Sequence, residues 1–191
     1  MRITHAGPIG TLTVVGHSYG STTTGLALQR EHLDVDQGAL IGSPGVGGGA
    51  RTVADLHLDA SRVFVGSASK DLITTLPDGL GEDPSEEVFG ATRFNAVSVQ
   101  RGYDRQISDH SRYYDVGSQS ESLYSLADIV TGHGGRLGQD GMLAQPRHIA
   151  TGGAFTGLAP EPMVDPESSR TPAVGHDHAI DPLYDLRRPG S

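Results

Sequence analysis

The chain has 191 residues, 36% of them hydrophobic, with 14 basic against 23 acidic side chains and a formal charge of −9; that length predicts one domain with room for a sizeable core. Neutralising phosphates takes clustered Lys and Arg, and here Lys70 is the single lysine and the arginines are scattered, which excludes nucleic acid and an anionic membrane surface as partners. With no cysteine, disulfides, thiolate metal sites and a cysteine nucleophile are excluded too.

No stretch reaches the roughly 18 apolar residues of a membrane helix. Met1 to Pro8 has neither the basic start nor the apolar run of a signal peptide, so a cytoplasmic chain with no membrane span is expected.

In chain order, Thr11–Val15 reads as a buried strand, and Thr22–His32 as a helix weakened by three consecutive threonines. Gly38–Ile41 is the second strand, Ala50–Asp59 a second crossover helix, and Arg62–Val65 the third strand. Each strand ends at a glycine, where the chain can turn sharply. Asp78 to Glu87 holds five carboxylates without the ordering of a calcium loop, and is expected to be a solvated, mobile loop. Arg93–Ser98 is a candidate fourth strand. Gln119–Thr131 is the best-marked helix: Ser118 and Glu121 form a capping box, Leu123, Leu126, Ala127 and Val130 share a face, and Gly132 stands at the C-cap. The expected class is α/β, a mostly parallel sheet of about four strands with crossover helices, over residues 1–132.

Residues 133–191 hold seven Pro and nine Gly in 59 positions with no sustained periodicity, and are read as a largely disordered tail. Its His176-Asp177-His178 with Asp181 offers metal-capable donors on no rigid scaffold, so no metal or other cofactor is expected.

Directly after the first strand comes Gly16-His17-Ser18-Tyr19-Gly20, followed by the first helix, the setting that a G-x-S-x-G nucleophile elbow requires. Both glycines are expected to relieve a collision across a turn that lifts the serine hydroxyl above the strand end. The N–H of Tyr19, at the start of the new helix, is the expected oxyanion donor.

Serine needs a base and a carboxylate from later loops, in the order Ser, Asp/Glu, His. Asp71 follows the third strand through a short polar loop, the end of the sheet where such acids sit. His110, in Ser108-Asp-His-Ser-Arg-Tyr-Tyr-Asp115 ahead of the last helix, is the expected base. His133 competes from beyond that helix, and His17 reads as scaffold because it cannot fold back onto its neighbour's hydroxyl.

Together these segments resemble the α/β-hydrolase superfamily, and more closely an actinobacterial-type group of unestablished substrate. The resemblance rests on Thr13-Val-Val-Gly-His-Ser-Tyr-Gly-Ser-Thr-Thr23, Leu40-Ile-Gly-Ser-Pro-Gly-Val46, Val63-Phe-Val-Gly66 leading to Asp71, and Asp109-His-Ser-Arg-Tyr-Tyr-Asp115. It implies Ser18 as nucleophile, Asp71 as acid and His110 as base, in agreement with their positions. The resembled fold places about four strands and a helix ahead of the elbow, whereas ten residues precede Thr11 here. The likeness is therefore to a C-terminal half lacking the N-terminal strands, with one oxyanion donor absent and a sheet edge exposed to self-association. The expected function is an esterase-like or lipase-like serine hydrolase acting on a small-molecule ester or related acyl substrate. The alternatives are an inactive remnant or interaction module, and an acyltransferase using the same triad.

Overall fold

Short apolar runs closed by glycine form a parallel four-stranded sheet in the computed structural model, which describes residues 10–75, 79–96, 107–115, 121–149 and 163–169. β1 (Thr13–His17) leads through helix α1 (Tyr19–Arg30) to β2 (Gln37–Ile41), then to β3 (Val63–Gly66) and β4 (Thr92–Phe94). The strand order is sequential, β1-β2-β3-β4, with every pairing parallel. β2 and β3 are buried along their whole length, as strands inside a parallel sheet should be, and Gln37 is the one polar residue among their nine.

Alternation along the strands divides the core into two layers. Ala39, Ile41, Phe64 and Phe94 face one side, where Leu126 and Ile129 of helix α2 (Glu121–Val130) pack on them. Leu40, Val63 and Val65 face the other, against Leu28 of α1 with Val53, Leu56 and Phe89. The threonines of α1 are accommodated because their hydroxyls find acceptors: Thr22 donates to Gly45 O at 2.7 Å and Thr23 to Gly20 O at 3.0 Å.

Several expectations need correction. The second crossover is not a helix over Ala50–Asp59 but one 3-10 turn, Val53–Leu56. Asp55 accepts the N–H groups of Arg51 and Thr52, which starts the turn at Thr52, and His57 at φ 57° ends it after one turn. The apolar face of α2 is rotated from the one expected. Ser122, Ser125, Leu126 and Ile129 are buried whereas Val130 is 45% exposed, because small serines let the helix come closer to the sheet than leucines would. The N-cap Ser118 lies outside the described residues. Gly132, at φ 84°, closes α2 as expected, with Gly132 N–H on Ile129 O and His133 N–H on Asp128 O.

Within the segment assigned by composition to a tail, residues 133–149 and 163–169 are described and carry buried side chains, among them Leu137, Met142 and Arg147. Residues 142–144 run antiparallel beside β4, with Asn95 N–H on Met142 O and Ala144 N–H on Arg93 O. Strands β5 (His148–Ile149) and β6 (Met163–Val164) pair as a short antiparallel ribbon. The composition shift at Gly132 is thus not the edge of the core, since three well-placed side chains suffice to anchor a glycine-rich path. Residues 150–162 and 170–191, including His176, His178 and Asp181, lie outside the described residues.

The acidic run is tethered where it is described. Leu80 N–H bonds Pro44 O, Gly47 N–H bonds Leu80 O, and Asp83 reaches the buried Arg147 at 2.8 Å. A buried guanidinium is the partner that sequence spacing did not reveal.

Candidate active site

The turn from β1 into α1 puts Ser18 at φ 56° and ψ −131°, a conformation that side chains rarely adopt. Its backbone is pinned on both sides: Ser18 N–H bonds Ile41 O at 2.9 Å, and Ser18 O accepts from the N–H and hydroxyl of Ser21. Gly16 is obligatory here, because a Cβ would lie 2.6 Å from Gly20 O and 2.7 Å from the Ser21 Cα. Gly20 is not, since a Cβ there meets nothing within 4 Å. The expectation that both glycines relieve a collision holds for the first alone, because the second already lies on the open side of the helix. Tyr19 is the first residue of α1, so its N–H belongs to the unpaired set at the helix N-terminus.

Asp71 stands beyond the carboxyl end of β3 and is fully buried. Its Oδ1 accepts the Ile73 N–H at 2.9 Å; its Oδ2 accepts from the Tyr113 hydroxyl at 2.7 Å and lies 2.8 Å from His110 Nδ1. A carboxylate oxygen only accepts, so Nδ1 carries a proton, and in the neutral imidazole Nε2 presents a lone pair. Nε2 is buried and has no hydrogen-bond partner among the described residues. His110 lies on the 3-10 segment Ile107–Ser111, over Gly42 at the end of β2, where a Cβ would come within 3.1 Å of its ring.

His17 completes this layer. Its ring stacks on His110 with centroids 4.9 Å apart, and its Nε2 donates to His110 O at 2.8 Å. Because His17 adjoins Ser18 in the elbow, this contact brings the imidazole layer over the serine's end of the sheet. Tyr114, 45% exposed, meets the edge of His17 at 5.5 Å.

Sequence reasoning missed Tyr113 as a member of this cluster. Its hydroxyl accepts the Ala68 N–H at 3.0 Å while donating to Asp71, and burial first, then the Asp71 charge, pushes the phenol well above its ordinary pKa. The available signal was its position three residues after His110, which puts both side chains on one side of a tight turn. His133 lies away from this cluster, with its Nδ1 3.0 Å from the Thr131 hydroxyl in the exposed turn after α2. Burial pushes the Asp109 carboxyl up, with Arg112 opposing from 4.0 Å. Among the described residues no group of three His, Asp or Glu side chains could hold a metal ion, and no helix is long and apolar enough to cross a membrane.

A family model described as alpha/beta hydrolase matches residues 1–80, the stretch that contains Ser18 and Asp71. Two uncharacterized proteins of Mycobacterium tuberculosis, MT2140 from strain CDC 1551 / Oshkosh and Rv2079 from strain ATCC 25618 / H37Rv, are each 38% identical to this chain over 215 residues. The alignments cover 95% of this chain and 32% of either relative, so the chain spans about a third of their length. No solved structure matches the chain.

Proposed function

We propose that this chain, whose residues 1–80 belong to the α/β-hydrolase family, is a serine hydrolase that cleaves an ester or related acyl bond with Ser18, Asp71 and His110. The observation that carries this reading is the imidazole of His110, tied through Nδ1 to a buried carboxylate at 2.8 Å, with an Nε2 that has no partner among the described residues at the Ser18 end of the sheet. Such a nitrogen costs stability, and it is available to take up a proton. Catalytic hydrogen bonds to the nucleophile are often loose before substrate binds, so an open Nε2 is compatible with the base role.

In the proposed cycle, Ser18 Oγ attacks the substrate carbonyl as its proton passes to His110 Nε2. The tetrahedral oxyanion takes the N–H of Tyr19, and Asp71 stabilises the imidazolium and fixes its orientation. His110 then gives the proton to the leaving alcohol, producing an acyl-serine. Water, deprotonated by His110, attacks that ester and returns the free serine and a carboxylic acid.

The test has two arms. A fluorophosphonate should label wild-type protein at Ser18 and fail on Ser18→Ala, and hydrolysis of a short p-nitrophenyl ester should disappear in His110→Ala. A folded sample that takes no label would remove the nucleophile assignment and favour a binding module instead. If an added alcohol accepts the acyl group in preference to water, the same triad serves transfer.

A further inference from the structure

The loop that carries Asp71 is held from beneath by two buried arginines. Arg93, on β4, donates Nη2 to Ser67 O at 2.7 Å. Arg147 donates Nη1 to Thr74 O at 2.7 Å and Nη2 to the Thr74 hydroxyl at 2.9 Å. That hydroxyl in turn donates to Asp71 O at 3.1 Å. The two guanidinium groups therefore grip both ends of the acid loop, and one of them reaches the backbone of the acid itself through a single side chain.

Both arginines converge on Asp165. Arg93 engages it with two nitrogens, Nη1 to Oδ1 at 2.9 Å and Nη2 to Oδ2 at 3.0 Å, and Arg147 Nε meets Oδ2 at 2.9 Å. Arg147 also pairs with Asp83 at 2.8 Å. The arginine side chains are 1% exposed and Asp165 is 6% exposed. Two buried cations are costly to desolvate, and apolar residues of similar volume would hold a core at least as well. What apolar residues would not do is aim rigid, planar donors at named carbonyls. Arg93 Nε has no partner among the described residues; the bonds the two guanidinium groups make apart from those to carboxylates end on Ser67 O, Thr74 O, the Thr74 hydroxyl and Gln145 O, so three of those four acceptors belong to the acid loop.

The geometry points to Asp165 as a positioning residue for the acid, acting through Arg147 and Thr74 and through Arg93 and Ser67, with the segment 163–169 as a strap that locks the Asp71 loop under His110. This rests on the triad reading above. Asp165 touches no reacting atom; it sets the path of the backbone from which Asp71 projects. In its absence Arg147 keeps its ion pair with Asp83 while Arg93 loses both of its bonds to Asp165, and the donors that grip the loop are no longer fixed in place.

The probe is an alkyl fluorophosphonate, and the measured quantity its second-order rate of reaction with Ser18 in the 191-residue chain. Thr74→Val keeps the shape of the side chain and deletes the relay hydroxyl; Thr74→Ser keeps the hydroxyl. Thr74→Ser should react within about twofold of wild type, while Thr74→Val and Asp165→Asn should each be slowed about tenfold or more. Because Thr74→Val cuts one of the two paths that Asp165→Asn already cuts, the double variant should be little slower than Asp165→Asn alone. Rates within twofold of wild type for both folded single variants, or full multiplication in the double, would overturn the proposal. Should Asp165→Asn fail to fold, the Thr74 pair decides the matter, since loss in Val with rescue in Ser is not what a purely structural role gives. A second readout is independent of the serine: the downfield Nδ1 proton resonance of His110 should persist in Thr74→Ser and move in Thr74→Val. An unchanged resonance in Thr74→Val overturns the proposal even if wild type takes no label, a result that would by itself remove only the triad reading.

Discussion

The hydroxyl of Tyr113 lies 2.7 Å from Oδ2 of Asp71, on the same carboxylate oxygen that receives the imidazole. One oxygen thus orients two rings that come from the same short segment of chain.

Tyr113→Phe deletes that donor and leaves the Ala68 N–H without its acceptor. Stability should fall by about 1 to 3 kcal/mol in denaturant titrations, and ester turnover should fall several-fold as Asp71 gains freedom. Because the phenol is held well above its ordinary pKa by burial and then by Asp71, the wild-type pH profile should show no step from Tyr113 below about pH 10. An undiminished rate in the Phe variant would show that the tyrosine serves packing alone.

The two elbow glycines should behave oppositely. Gly16→Ala forces a Cβ into the Gly20 carbonyl and should abolish labelling of Ser18, whereas Gly20→Ala meets open space and should leave labelling within about threefold. Comparable losses in both would contradict the geometry.

Ser18 is held at a φ of 56° that glycine adopts freely and serine only under strain. Ser18→Gly should therefore raise stability by about 1 to 2 kcal/mol while removing activity, whereas Ser18→Ala removes activity and keeps the strain. Thermal unfolding of the three proteins side by side checks this, and equal midpoints for Gly and Ala would refute it.

Burial opposes ionisation of Asp165, but Arg93 and Arg147 prevail and hold its carboxyl down at about 2, against an ordinary value of 3.8. A carboxylate depressed on folding stabilises the protein fully above the ordinary value, and that contribution fades as pH falls through the folded one. The shift corresponds to about 2 kcal/mol. Wild type should lose its stability margin over Asp165→Asn as pH drops from about 5 toward 2; a constant margin would argue against the ion pairs as its source.

β1 is at the edge of the sheet order, with no strand on its outer side among the described residues, and Val15 there is 40% exposed. Val130, also exposed, is two residues ahead of Gly132, whose Cα backs onto Thr11 just before β1. Edges of this kind seek partners. The chain is expected to self-associate with rising concentration in sedimentation velocity, and Val15→Lys to shift it toward monomer. A wild-type monomer at about 100 µM would count against this.

The parallel sheet was legible because it is written locally: β3 is an unbroken apolar run, β2 is one after Gln37, and Gly16-x-Ser18 is a steric statement about the turn between β1 and α1. Asp71 and His110 were legible by position relative to those strands, and the contact between them came with the fold. The crossover at Val53–Leu56 was misread because apolar spacing there serves one 3-10 turn, whose ending depends on His57 entering a left-handed conformation that no pattern announces. Tyr113, Arg93, Arg147 and Asp165 were invisible as a group, since buried charge pairs between residues 72 positions apart leave no periodic trace.

Neighbouring strands of the sheet pair across about 24 to 28 residues, each with the next in sequence. The contacts that complete the site span far more chain: 93 residues from His17 to His110, 73 from Thr74 to Arg147, and 72 from Arg93 to Asp165. Loop-closure entropy grows with the chain enclosed, and these closures gain little until the sheet exists to place their ends. Assembly therefore runs from scaffold to chemistry. Asp165 follows all four strands in the chain, so its bonds to Arg93 and Arg147 can form only after the whole sheet has been synthesised.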